Sequence, residues 1–169
     1  MNREEFEQKL KSTIFDVASK WLYWGSCVRT MREVLKRLRF TVFPYLKNHV
    51  DRTIQWLKKE AKTNPNIQIL SSHEEAQEAA NKNTGEYVVF GMVANYKYPV
   101  HKKGGSHHVA LILPGIMQAG GGGVKKKEHI FMPIAGHFNW NYYGHKDFNC
   151  PEESNKFHMV YFLYGNRDL

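Results

Sequence analysis

Cysteine is nearly absent: two residues, Cys27 and Cys150, in a chain of 169. That is too few for a disulfide scaffold, and without a C-x-x-C pair no structural zinc site is expected. One Cys27–Cys150 bridge stays open. Long apolar runs are also missing; none approaches the roughly 18 residues that a membrane span needs. The opening stretch, MNREEFEQKLKSTIF, is charged throughout and lacks the apolar centre of a secretory leader, so no Sec-type signal is expected. Internal repeats and low-complexity domains are absent as well. The run AGGGGVKKK at 119–127 lacks the Lys-Ser/Thr pair of a phosphate-binding loop and precedes a strand pattern, so it reads as a hairpin connection. No H-E-x-x-H occurs among nine histidines, and the spacing of His129, His137 and His145 gives no warrant for a shared ion. No metal and no cofactor is expected.

What is present is positive charge. Lys and Arg number 24 against 16 Asp and Glu, a formal net charge of +8. Such a balance favours anionic partners, whether nucleic acid, membrane headgroups or a wall polymer. Basic residues concentrate in REVLKRLR and VKKKEH; each run alone reads as a solvated face or loop.

Helical spacing comes first along the chain. Phe6, Leu10, Ile14 and Val17 mark a helix over 3–22 that continues to Trp21. After YWGS, where Gly25 permits a turn and Ser26 can cap, a second helix runs to about Phe40 with Cys27, Met31, Val34 and Leu38 in one stripe. A third covers 46–62 with Val50, Ile54 and Leu57 inward, and a short one follows Ser72. The period then changes to strands at 86–94, 107–113, 129–135 and 157–165. Helices followed by adjacent strands predict one α+β domain over 1–169 with a mostly antiparallel sheet.

Cys27 stands at a predicted helix start. Unpaired N–H groups and the positive dipole end favour thiolate there, and thiolate is the nucleophile. Acyl transfer also needs an imidazole. The segment GGSHHVALIL supplies two, at the start of a strand where adjacent residues face opposite ways. His108 shares parity with Ala110, whose small side chain would let a helix terminus approach; His107 shares parity with Val109 and is the second candidate. The ordinary alternative is a buried apolar cysteine and a structural histidine.

The order of these parts resembles the papain-like bacterial cell-wall amidases of the NlpC and CHAP group. The helix-borne Cys27, the strand GEYVVFGMV and the segment HHVALILPG carry the likeness. With PIAG and the last strand HMVYFLYG, the chain is most similar to the small amidase effectors of type VI secretion. The resemblance implies a papain-like fold, with the nucleophile opening a helix packed on the sheet. It also implies hydrolysis of an amide bond in the peptide stem or crosslink of peptidoglycan. On that pattern Cys27 attacks, His108 is the base, and the third group is either His129 or a carbonyl near Phe131. The backbone N–H of Cys27 and a neighbouring donor hold the oxyanion; Tyr23, four residues before the nucleophile, either lines that site or packs in the core with Trp21 and Trp24. Ser26 stands where the family has Asp, and Val28 where it has Ser. The resemblance further implies a monomer exported without a Sec signal to the periplasm or wall of a target bacterium, and a cognate immunity protein as partner.

The competing expectation is a basic binding module with a structural Cys27. Nucleic-acid modules interleave aromatic and basic residues on exposed strands. Here the strands are apolar on both faces and the lysines read as loop residues, so no nucleic-acid partner is expected. Basic charge, with VKKKEH the first place to look, would instead hold the enzyme on an anionic wall.

Overall fold

The computed structural model describes residues 1–18, 27–44, 50–96, 106–119, 131–132, 135–136 and 160–166. Four helices are seen: α1 (Arg3–Ala18), α2 (Cys27–Arg37), α3 (Val50–Glu60) and α4 (His73–Lys82). The strands are β1 (Ile67–Leu70), β2 (Val88–Tyr96), β3 (Ser106–Ile112), β4 (Gln118–Ala119), β5 (Phe131–Met132), β6 (Ala135–Gly136) and β7 (Val160–Tyr164). The main sheet has the order β1-β7-β2-β3-β6, and every pair in it is antiparallel. This is the α+β arrangement expected, with helices leading into an antiparallel sheet.

Local chemistry explains the helix ends. At α1, Asn2 Oδ1 accepts from the Glu5 N–H at 2.9 Å while the Glu5 carboxylate accepts from the Asn2 N–H at 3.0 Å, a reciprocal capping box. At α4, Ser72 Oγ accepts from the Glu75 N–H at 3.1 Å. The end of α2 is less usual. The Arg39 N–H donates to Lys36 C=O and the Phe40 N–H to Leu35 C=O, at 3.0 and 2.9 Å. That is a Schellman ending, and the left-handed position, normally glycine, holds Arg39 at φ 62°. Phe40 and Leu35, the apolar pair of that motif, are both buried.

Helices cover both faces of the sheet. On one face Phe6, Leu10, Ile14 and Val17 of α1, Met31, Val34 and Leu35 of α2, and Val50 and Leu57 of α3 join Phe90, Met92, Val109, Leu111 and Phe162 in one core. The expected stripes of α1 and α3 are therefore buried, as is the described part of the α2 stripe. Phe43 packs edge-on to Tyr164, with ring centroids 4.5 Å apart, and lies 5.0 Å from Phe90. On the other face Leu70, Ala76, Ala80, Val89, Ala110, Ile112 and Tyr161 form a smaller core beneath α4. Because both faces are covered, β2 and β3 read as continuous apolar runs rather than alternating ones.

Three expectations need correction. Of the strand expected over 129–135, the described residues fall in two short pieces in different sheets: β5 pairs with β4, and β6 pairs with β3. Pro133, with no N–H to donate, falls between them in the sequence. β1 was not among the expected strands at all; its pairing with β7 makes it one. Nor do all the lysines lie in loops: Lys36, Lys58 and Lys59 are on α2 or α3. The antiparallel β4–β5 pair encloses the glycine run, as a hairpin connection requires, though residues 120–130 themselves lie outside those described.

Candidate functional site

Cys27 is the first residue of α2, as the cap reading of Gly25-Ser26 required. His107 and His108 are the second and third residues of β3. The side chains of all three lie outside the described residues, as do Tyr23, Ser26, His129 and Cys150. The backbone nevertheless relates the two elements. α2 packs along β3, with Met31, Val34, Leu35 and Leu38 in the same core as Val109, Leu111 and Leu113.

The direction of α2 follows from its C-terminal anchor. Beyond α2 the Thr41 N–H donates to Asn166 C=O at 3.0 Å, and Phe43 packs on Tyr164. Tyr164 pairs with Val88, so this end of the sheet is where β2 begins. β3 is antiparallel to β2, with Phe90 opposite Leu111, so β3 finishes at the same end and begins at the other. A helix of eleven residues spans about 16 Å, and lying along β3 it carries its first residue toward the strand's start. Cys27 and the His107–His108 pair therefore belong to one end of the sheet.

That same end is irregular. Val93 pairs with His108 and Tyr96 with Ser106, so β2 spends one more residue than β3 over this step. The extra residue is a β-bulge opposite His107, a device that re-aims side chains and is enriched beside active sites.

The register also corrects one argument about the base. Ala110 does leave room for a helix, but the helix is α4: Ala110 packs with Ala76 and Ala80. The residues of β3 that meet α2 are Val109 and Leu111. His107 holds the strand parity of Val109 and Leu111, and His108 that of Ala110.

One described titratable pair escaped the sequence reading. His73, the first residue of α4, has its Nδ1 2.7 Å from the Tyr161 hydroxyl, with the rings edge-to-face at 5.4 Å. Burial lowers the His73 pKa below its ordinary value, and the neighbouring Glu74 carboxylate opposes this. A histidine directly after a capping serine was the available signal. The pair sits under α4, on the face of the sheet away from α2.

Among the described residues no group of three His, Cys, Asp or Glu could hold a metal ion, and no helix is long and apolar enough to cross a membrane. Comparison with protein-family models, with curated proteins and with solved structures found no match to this chain.

Proposed function

We propose that the protein is a papain-like cysteine amidase that cleaves an amide bond in the peptide stem or crosslink of bacterial peptidoglycan, as an exported antibacterial effector. The observation that carries this reading is the convergence of Cys27, at the first position of α2, and the His107–His108 pair, at the start of β3, on one end of the sheet. The helix terminus favours the thiolate, and a histidine on the adjacent strand is the base a thiol nucleophile needs. Cys27 attacks the amide carbonyl. The protonated imidazole passes its proton to the leaving amine, and water then hydrolyses the thioester. The oxyanion is held by the Cys27 N–H and a second donor, with Tyr23 and Ser26 the neighbouring candidates. The resemblance pairs Cys27 with His108, whereas strand parity favours His107; His129 stays the candidate for orienting the base.

Digestion of purified sacculi, with products identified by mass, tests the proposal. Wild type should release defined muropeptides, and Cys27→Ala should release none. Of His107→Ala and His108→Ala, the inactive variant identifies the base, and parity predicts His107. A Cys27→Ala protein as active as wild type would overturn the reading. So would Cys27 alkylating no faster than Cys150 near neutral pH, since a thiol at a helix start has its pKa lowered.

A further inference from the structure

The basic residues of the described chain are not spread evenly over it. On α2, Arg29, Arg32 and Lys36 recur at intervals of three and four, turned away from the buried Met31–Val34–Leu38 stripe. Arg39 follows three residues on and is exposed. On α3, Arg52, Lys58 and Lys59 are exposed, as is Lys62 in the turn beyond. The acids of these two helices are fewer. Glu33 is bonded to Arg37 at 3.0 Å, which leaves Asp51 and Glu60. Across the sheet the balance reverses. Among the described residues, the exposed charges on α4 and in the turn that follows it are Glu74, Glu75, Glu78 and Glu86, with Lys82 paired to Glu78. Among the described residues, α2 and α3 form a cationic plate on one face of the sheet and the α4 segment on the other face is acidic.

Arg39 adds a separate observation. It occupies the left-handed position where glycine has no steric cost and other residues lose about 1–2 kcal/mol. A residue that strains the backbone is held where it lengthens the row begun by Arg29, Arg32 and Lys36. The row runs along the helix that Cys27 opens. Among the described residues of α2 and α3, the aromatic that stands between basic ones is Trp56, which is half-buried and packs against the core, whereas single-stranded nucleic-acid surfaces present exposed rings.

We infer that the outer surface of α2 and α3 is a docking plate for a carboxylate-bearing polymer, on the reading above the peptide stems of peptidoglycan. On this reading the plate faces the polymer and the acidic α4 segment faces away from it.

Co-sedimentation of Cys27→Ala protein with intact sacculi tests this without hydrolysis. Three variants lower the net charge equally: Arg32→Gln with Lys36→Gln, Lys58→Gln with Lys59→Gln, and Lys82→Glu on the opposite side. A basic residue held at an anionic surface contributes roughly fivefold in binding, so each of the first two should bind about 10- to 30-fold more weakly at low salt. The third should match the parent within about twofold. Amidation of the sacculus carboxylates should abolish the difference. Equal loss in all three variants, or in none, overturns the plate. Binding that survives carboxylate blocking overturns the ligand, and preferential binding to duplex DNA overturns the partner. Sacculi cleaved normally by proteins with an altered plate would leave the amidase reading standing. Plate-dependent binding without any cleavage by wild type would defeat that reading alone.

Discussion

The two faces of the sheet are filled by opposite strategies. Beneath α1–α3 the contacts are large and non-directional: Phe90, Phe162, Phe43 and Tyr164 pack as a group of rings, with Met31, Leu35 and Leu57 fully buried around them. Beneath α4 small side chains are interleaved with larger ones: Ala76, Ala80 and Ala110 share a core with Leu70, Ile112 and Tyr161. Polar side chains then reach backbone. Gln77 Nε2 donates to Leu113 C=O at 2.8 Å, and the Asn81 amide both donates to Gly115 C=O and accepts from its N–H, at 3.0 and 2.7 Å. Volume holds one helical layer; hydrogen bonds locate the other.

The contrast can be broken from either side. Phe90→Ala opens a cavity among the rings and should cost about 3–5 kcal/mol, read as a lower urea midpoint. Ala76→Leu tests the opposite face, where the added volume has no space. It should cost about 1–3 kcal/mol and separate α4 from the Leu113–Gly115 turn, which faster amide exchange there would report. If Ala76→Leu proves neutral, α4 is not close-packed and the distinction between the faces fails.

A smaller effect of opposite sign is expected at Arg39. Arg39→Gly relieves the left-handed backbone and should stabilise the fold by about 0.5–1 kcal/mol while weakening sacculus binding. Loss of stability would show that Arg39 contributes contacts that outweigh the strain. The smallest effect concerns pH. Burial depresses the pKa of His73 in the folded state, so below about 6.5 the unfolded chain takes up a proton that the folded one resists. Stability should therefore fall as pH drops through that value toward the folded pKa. His73→Gln should flatten that part of the profile in chemical denaturation at pH 7.5 and 5.5; an unchanged slope would assign the acid sensitivity to other groups.

The contrast also separates what was legible in the sequence from what was not. The stripes of α1 and α3 were readable because each buries a single side, and Ser72 announced α4 directly. The short strand IQIL was not, because four residues with a central glutamine carry little period, and only pairing with the distant β7 orders them. Reading β3 showed that His107 and His108 fall on opposite faces. It could not show which face meets α2, since helices cover both and neither is marked by polar residues. The size of Ala110 was a real signal of close helix approach, attached to the wrong helix. For the candidate site, the cap at Cys27 was local and readable, whereas its alignment with the start of β3 depends on the Thr41–Asn166 contact, which no local pattern encodes.

The position of β7 bears on how the domain comes to exist. β7 lies between β1 and β2, so residues 160–164 bridge strands made far earlier. Until they arrive, the β2–β3 hairpin can form with α2 and α3 against it, but β1 has no neighbour and the ring cluster lacks Phe162 and Tyr164. Pairings of such long sequence separation raise contact order and slow folding. During synthesis the chain therefore passes a long interval as an incomplete sheet with an unpaired edge along β2. Such an incomplete sheet, with its unpaired edge, suits holding by chaperones until β7 is made.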